Sequence, residues 1–367
     1  MTPLFNPADF RLSPGITHVC AGGETAALRA HDEALLRYVA DKSRGLPGRT
    51  AQEAEIEAAR TGMARLWAVD PGDIGFVSNV AEGVSIVAES LDWRDGDCIA
   101  IDANEYPSVV GPFALRHGVR LRQARGSAPD RLAQITDNRT RIIATSYVSY
   151  LTGERIDLKP LRALADQHNT LLLVDYTQAS GYLPIDASIA DFAFTACYKW
   201  MFGITGVAVA YWNRTRQPHW LPASAGWHSI APGTRGYDTT PVLKPDAMRF
   251  TRGNPAHCPI YVLNSAISYL SQYDMRDVQT HVQTLTVALV DALNAHQIQV
   301  TTPHDPERHG ASVCIASPNA AAIVDALYQQ GIYTWNGQGR IRISFHGYNT
   351  MQDVERTAAA LISQIRP

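Results

Sequence analysis

The sequence lacks the patterns that mark several common enzyme classes. Its 12 histidines show no HExxH spacing, and no GxGxxG motif follows a predicted strand, which counts against a dinucleotide-binding enzyme. The cysteines form no CxxC pair, so neither a disulfide framework nor a zinc site is indicated. They are Cys20, Cys98, Cys197, Cys258 and Cys314. We therefore expect no metal site.

Charge and hydropathy exclude further classes. The net charge is −3 over 367 residues, which argues against a nucleic-acid partner. No apolar run approaches the roughly 20 residues of a membrane-spanning helix. The N-terminus, MTPLFNPADFRLSPG, has no basic segment followed by an apolar core, so no signal peptide is evident. We expect a cytoplasmic protein without a membrane partner.

Short apolar runs alternate with amphipathic stretches up to Trp212. The runs that predict strands are DIGFVS, DCIAID, VRLRQA, TRIIATSYV, TLLLVDY, ADFAFTA and GVAVAYW. The stretches that predict helices are TAQEAEIEAARTGMARLWAV, AEGVSIVAESL, PSVVGPFALRHG and DLKPLRALADQHN. Nearly continuous apolar strands separated by helices are typical of a parallel sheet covered on both faces.

The pattern changes after Trp212. A connector over residues 212–245 is rich in proline, glycine and aromatics, as functional loops often are. Helices and short strands follow, among them the predicted strand IQVTT, and they indicate a smaller α+β domain. We predict a large domain over residues 16–245 and a small one over residues 246–367 together with 1–15.

One lysine stands alone in an apolar stretch. Lys199 is the only charged residue between Asp191 and Trp212, and burial favours the neutral amine, which forms Schiff bases. Asp175 follows an apolar strand, where doubly wound folds bind ligands, and Gln178 comes three residues later. Asp, Gln and Lys in this order suggest pyridoxal phosphate. Its ring nitrogen needs a carboxylate, its ring oxygen needs a neutral hydrogen-bond donor, and its aldehyde needs an amine.

These residues resemble those of the class V aminotransferase family, which includes cysteine desulfurases, kynureninases and isopenicillin N epimerase-like proteins. The similarity runs nearly end to end. It implies a fold-type I α/β enzyme with a mainly parallel seven-stranded sheet, pyridoxal 5'-phosphate bound by Asp175, Gln178 and Lys199, and an amino-acid-like substrate. Tyr198 before the lysine resembles kynureninase-like members, since desulfurases usually have His-Lys there.

Two segments resemble the family's phosphate site. FVSNVAEGVS resembles the turn that opens a helix on the phosphate, which implies roles for Asn79, Val80 and Ala81. The hydroxyl residues common there are missing, so backbone N–H groups would hold the phosphate, and Asn79 is alternatively a helix cap. In GNP, Asn254 takes the threonine position that reaches the phosphate from the second subunit, which implies a homodimer with shared active sites. A structural turn is the alternative.

Three further positions follow from the resemblance. Tyr106, in ANEYPSVV, takes the position that stacks on the pyridine ring. Tyr150 stands near ring and substrate, where desulfurases usually have asparagine; a packed core tyrosine is the alternative for both. Arg342, in RIRIS, matches the arginine that grips the substrate carboxylate with its planar fork. Arg340 shares its strand face, and arginines on a solvated face are the alternative.

The desulfurase cysteine is missing. The stretch before Arg342, YQQGIYTWNGQGRIR, contains no cysteine; its WNGQG part either closes over the substrate with Trp335 or forms an ordinary hairpin. The resemblance therefore implies an enzyme that acts through an external aldimine, as an aminotransferase or a C–S or C–C lyase. Desulfurase-like or epimerase activity, or a non-catalytic protein with this fold, are the alternatives.

Overall fold

A seven-stranded sheet forms the centre of the computed structural model, which describes residues 2–236 and 240–365; residues 237–239 of the predicted connector lie outside the described residues. The strands are β1 (Thr17–His18), β2 (Ile74–Val77), β3 (Cys98–Asp102), β4 (Arg120–Ala124), β5 (Thr140–Ser146), β6 (Leu171–Asp175), β7 (Phe192–Ala196), β8 (Ala208–Trp212), β9 (Ser312–Ala316), β10 (Ile332–Tyr333), β11 (Trp335–Gly337) and β12 (Arg340–Ser344). The central sheet has the order β2-β8-β7-β6-β5-β3-β4. Only β8 runs against its neighbours, which confirms the mainly parallel seven-stranded sheet.

Helices cover both faces of this sheet. They are α1 (Ala30–Lys42), α2 (Leu46–Leu66), α3 (Val80–Ser90), α4 (Pro107–Ala114), α5 (Pro129–Ala133), α6 (Leu158–Gln167), α7 (His257–Leu270), α8 (Met275–Ala295), α9 (Ala320–Gln329) and α10 (Met351–Ile365). Along β6, Leu172 and Val174 pack in one core with α2, α6 and α7, whereas Leu173 packs in a second core with α3 and α4. Successive side chains of a strand point to opposite faces, so an apolar run such as LLLV buries both.

A second, smaller unit follows the sheet. Strands β11, β12 and β9 form an antiparallel sheet with its own apolar core, shared with α8, α9 and α10. The N-terminal β1 pairs in parallel with β10 of this unit, while α7 packs against α1 and α2. The predicted domain boundary near residue 245 stays a prediction. No described helix is both long and apolar enough to cross a membrane.

The predicted strand IQVTT is wrong. The segment runs beside β9, and Thr301 N donates to Cys314 O (2.8 Å), but Cys314 N donates to the hydroxyl of Thr302 (2.9 Å). A threonine hydroxyl that takes the place of a backbone carbonyl interrupts the strand ladder. The β-branched residues of IQVTT therefore give the pattern of a strand without its backbone pairing.

WNGQG forms a hairpin between β11 and β12. Gly337 pairs with Arg340, so only Gln338 and Gly339 form the turn. Both have positive φ, 52° and 69°, as the favoured two-residue hairpin turn requires. This confirms the hairpin interpretation, and the turn also carries Trp335 and Gln338 to the edge of a cavity described below.

A buried carboxylate anchors the amino end of β7. Asp191 is 1% exposed and accepts hydrogen bonds from Arg162 Nη1 (2.6 Å), Leu172 N (2.8 Å) and Gln217 Nε2 (2.8 Å). Asp166 pairs with Arg162 and Arg216 but is half exposed. The two aspartates share partners and differ mainly in burial.

We expect Asp191→Ala to lower the free energy of unfolding by about 3–5 kcal/mol, because it removes the buried acceptor of a largely buried arginine and of a backbone N–H. Asp166→Ala should cost less than about 1 kcal/mol, as exposed ion pairs do. Thermal and urea unfolding of both variants measure the difference. Equal losses in the two variants would contradict this interpretation.

Candidate active site

The predicted cofactor residues meet at the carboxyl edge of the central sheet. Asp175 ends β6 and lies beside Ser146, the last residue of β5. Lys199 follows the end of β7 by three residues, in a tight turn closed by Phe202 N to Lys199 O (3.0 Å) and by Gly203 N to Cys197 O (2.8 Å). The turn directs the lysine back over the strand ends.

Lys199 is a buried residue, and its amine makes no hydrogen bond to a described residue. Its Nζ lies 5.5 Å from the ring centre of Tyr106 and 5.4 Å from that of Tyr198. Burial and then the charge of Arg342 lower the pKa of Lys199 to about 8, although Asp175 raises it. The neutral amine is therefore accessible near neutral pH.

Asp175 and Gln178 are held by the backbone around them. Asp175 is 4% exposed, accepts the N–H of Thr177 (2.8 Å), and has its pKa raised by burial. Gln178 Oε1 accepts the indole N–H of Trp200 (3.0 Å), and Nε2 donates to Gly22 O (3.1 Å). These two bonds fix the amide orientation and leave one N–H of Nε2 for a ligand.

Arg340 and Arg342 lie side by side and are buried, so the interpretation as arginines on a solvated face is wrong. Arg342 Nη1 and Arg340 Nη2 donate to the same carbonyl, Tyr150 O, at 3.2 and 2.6 Å. The hydroxyl of Tyr150 donates to Gln338 Oε1 (2.8 Å), and its ring lies edge-on to Tyr106. Tyr150 therefore links the two arginines to the ring of Tyr106.

These side chains enclose one cavity of about 210 Å³. Its lining comprises Gly23, Glu24, Tyr106, Tyr150, Gln178, Tyr198, Lys199, Trp335, Gly337, Gln338, Arg340 and Arg342. The structure thus brings together Lys199, Gln178, Tyr106, Tyr198, Tyr150 and Arg342, as the sequence predicted. Arg235 of the connector, whose guanidinium stacks on Trp227, does not line this cavity.

Sequence reasoning missed two carboxylates near the cavity. Glu24 lines its mouth after the Gly22-Gly23 pair, where a Cβ on Gly22 would lie 2.7 Å from Ser344 Oγ. Glu105 is half-buried and accepts from Ser146 N (2.7 Å) and Tyr106 N (2.7 Å); desolvation of its carboxylate raises its pKa to about 7. The sequence signals that could have revealed these carboxylates are the glycine pair before Glu24 and the acidic residue directly before Tyr106.

The predicted phosphate residues lie at the start of α3. Asn79 caps this helix by accepting Glu82 N (2.9 Å), which is the capping alternative. The backbone N–H groups of Val80 and Ala81 make no hydrogen bond to a described residue. Free amides at a helix N-terminus suit a phosphate; that these amides hold one stays a prediction.

Asn254 lies outside the Lys199 cavity. It lines a separate cavity of about 180 Å³ together with Ser78 and Glu82, next to the start of α3 in its own chain. Its Oδ1 accepts from Arg49 Nη2 (2.9 Å). Its predicted reach to a second subunit stays a prediction.

This donor set fits pyridoxal phosphate. The amine of Lys199 makes no hydrogen bond to a described residue and suits the aldehyde, and the carboxylate of Asp175 at a strand end suits the ring nitrogen. The ring of Tyr106 suits the face of the pyridine ring, and the free amides at the start of α3 suit the phosphate. Fold and site together define a fold-type I pyridoxal-phosphate enzyme.

Comparison with known proteins gives the family. The family model for aminotransferase class-V matches residues 24–357, so the chain belongs to this family. A probable cysteine desulfurase of Methanothermobacter thermautotrophicus is 25% identical over 89% of this chain and 88% of its own length. A cysteine desulfurase of Klebsiella pneumoniae is 28% identical over 84% and 82%.

Solved structures share the fold. Apo cysteine desulfurase from Thermococcus onnurineus has a TM-score of 0.88 at 20% identity, covering 98% of this chain and 97% of that one. The cystine C–S lyase C-DES has a TM-score of 0.86 at 24% identity, covering 95% and 98%. The predicted fold, cofactor and enzyme class are confirmed, and the roles of single residues stay predictions.

The lowered pKa of Lys199 gives a pH prediction. In the protein without cofactor, borohydride-trapped addition of pyridoxal to Lys199 should rise with pH with a midpoint near pH 8, because the neutral amine reacts. Arg342→Met removes a cause of the lowered pKa, so the curve should move to higher pH. Asp175→Asn should move it to lower pH.

Arg252→Met, outside the cavity, is the matched control and should leave the curve unchanged. A wild-type curve that rises only near the ordinary lysine value of 10.5 would contradict the buried amine.

Proposed function

We propose that this enzyme cleaves the carbon–sulfur bond of a β-sulfur-substituted amino acid without forming a persulfide on the protein. The observation that carries the proposal is the chemistry of the cavity lining. It presents a buried amine and two arginines, and no thiol is among its lining residues. β-Elimination needs only a proton carrier and a carboxylate grip from the protein, whereas desulfuration through a protein persulfide also needs a thiol.

None of the five cysteines lines the cavity, although Cys314 and Cys20 lie near Arg342. Cys20, Cys98, Cys197 and Cys314 are buried, and Cys258 is partly buried at the start of α7. Burial raises the pKa of Cys20 and of Cys314, the two cysteines near Arg342, and a thiol with a raised pKa is a poor nucleophile. C-DES, whose fold this chain shares, is a cystine C–S lyase.

In this proposal each residue has a definite task. When bound, pyridoxal phosphate supplies the electron sink for the negative charge left at Cα. Lys199 Nζ removes the Cα proton and returns it to the departing sulfur. Arg342 holds the carboxylate with two parallel hydrogen bonds, and Asp175 keeps the ring nitrogen protonated.

A substrate screen tests the activity. Holo-protein incubated with cystine, S-alkylcysteines and cysteine should release pyruvate and ammonia together with a persulfide, a thiol and hydrogen sulfide, respectively, and cofactor absorbance should change. Lys199→Ala should lose turnover, because the proton carrier is gone. The chain has four lysines, and the exposed Lys159 provides the matched Lys159→Ala control, which should keep full activity.

Other products would redirect the assignment. Alanine from cysteine would indicate desulfurase activity, and amino transfer that depends on an added α-keto acid would indicate an aminotransferase. Either outcome, with no pyruvate formed, would overturn C–S elimination.

We further propose a homodimer with shared active sites. Leu36 and Val39 of α1 and Leu46 of α2 are 70%, 58% and 79% exposed. Arg49, one turn after Leu46, bonds Asn254, so this apolar surface adjoins the turn predicted to reach a second subunit. Exposed apolar groups of this kind mark protein interfaces.

Sedimentation should give twice the chain mass of 40.2 kDa. Leu36→Asp combined with Leu46→Asp should shift the protein to monomer and weaken cofactor retention, because each site would lose its partner's Asn254. Leu115→Asp is the matched control, since Leu115 is 93% exposed at the end of α4. A wild-type protein that is fully active as a monomer would refute the dimer.

A further inference from the structure

The cavity holds two buried positive charges that no described acidic side chain neutralises. Arg340 and Arg342 are 5% and 4% exposed, and neither forms an ion pair in the part of the chain that the structure describes. Arginine is rarely buried without a partner, because removing its charge from water is costly. Their common partner, Tyr150 O, is a carbonyl and carries no net charge.

Other charges at the site do not balance the pair. The carboxylate of Glu24 lies at the exposed mouth of the cavity, and that of Asp175 is assigned to the cofactor ring. Glu105 does not line the cavity and is bonded to Ser146 N and Tyr106 N. An amino acid with one carboxylate, gripped at Arg342, leaves Arg340 unneutralised. The uncompensated positive charge of Arg340 can therefore be neutralised by a second anion.

Arg340 keeps donors for such a group. Its Nη1 donates to Gly337 O (2.6 Å) and its Nη2 to Tyr150 O (2.6 Å), while the ring of Tyr150 lies 5.0 Å from the guanidinium carbon. A guanidinium has five N–H donors, so three remain, and Nε is buried without a partner. The two carbonyl groups hold the Arg340 guanidinium in place beside the cavity.

We propose that the cavity selects substrates with two anionic groups, the α-carboxylate at Arg342 and a second carboxylate or sulfur oxyanion at Arg340. This assignment rests on the proposed function in that it takes the substrate to be an amino acid. Since both guanidinium groups bind the same carbonyl oxygen, they are neighbours, and the second anion belongs to a short side chain.

Binding of simple carboxylic acids tests the proposal without turnover. Calorimetric titration of the holo-protein with succinate and glutarate is compared with butyrate and valerate, which match them in chain length. A charge-assisted hydrogen-bonded pair corresponds to roughly 10- to 100-fold in affinity, so the diacids should bind more tightly by that factor.

Variants at the two arginines separate their roles. Arg340→Gln should abolish the preference for diacids and leave monoacid affinity within about threefold, and Arg340→Lys should retain part of the preference. Arg342→Gln should weaken both classes, because each places one carboxylate there. Arg235→Gln, outside the cavity, should change neither.

Two results would overturn the second anion site. One is equal affinity of the wild type for diacids and monoacids, a comparison that needs no variant. The other is an equal loss of both classes in Arg340→Gln with a lowered melting temperature, which would make Arg340 only a brace of the hairpin. Because the acids lack an amino group, a failed lyase screen leaves this measurement intact, and the reverse also holds.

Discussion

The site depends on the removal of one amine from water. Lys199 is placed by a tight turn after β7 over the ends of neighbouring strands, where its amine makes no hydrogen bond to a described residue. Burial and a neighbouring guanidinium both favour the uncharged amine. The sheet supplies the rigidity for this arrangement, since the turn, the strand ends and the aromatic wall all extend from strands buried on both faces.

Much of this arrangement could be predicted from the sequence. Continuous apolar runs such as LLLV indicate strands covered on both faces, and parallel strands carry their carboxyl ends to one edge, so Asp175 and Lys199 had to lie close together. The carboxylate-binding role of Arg342 is predicted only through the resemblance, since the alternation in RIRIS equally suits arginines on a solvated face. At Asp175 and Lys199 the residue type and the order of the strands indicate the same site.

The features that the sequence did not predict depend on contacts between segments that are distant along the chain. Glu24 reaches the cavity because the N-terminal segment pairs with the small unit through β1 and β10. No local pattern encodes that pairing. Thr302 replaces a ladder carbonyl with its hydroxyl, so IQVTT has the composition of a strand and not its structure. Glu105 is fixed by Ser146, 41 residues later.

The anchor of the two arginines is a main-chain atom. Tyr150 contributes its carbonyl oxygen to both guanidinium groups, and no substitution of its side chain removes that oxygen. A different side chain here would lose the ring beside Arg340 and the hydroxyl bond to Gln338, but it would keep the carbonyl that both guanidinium groups share. The backbone therefore fixes the positions of the two positive charges, and the side chain sets the shape and polarity of the neighbouring cavity wall. A substitution at this position would reshape that wall without removing the oxygen that holds the arginines together.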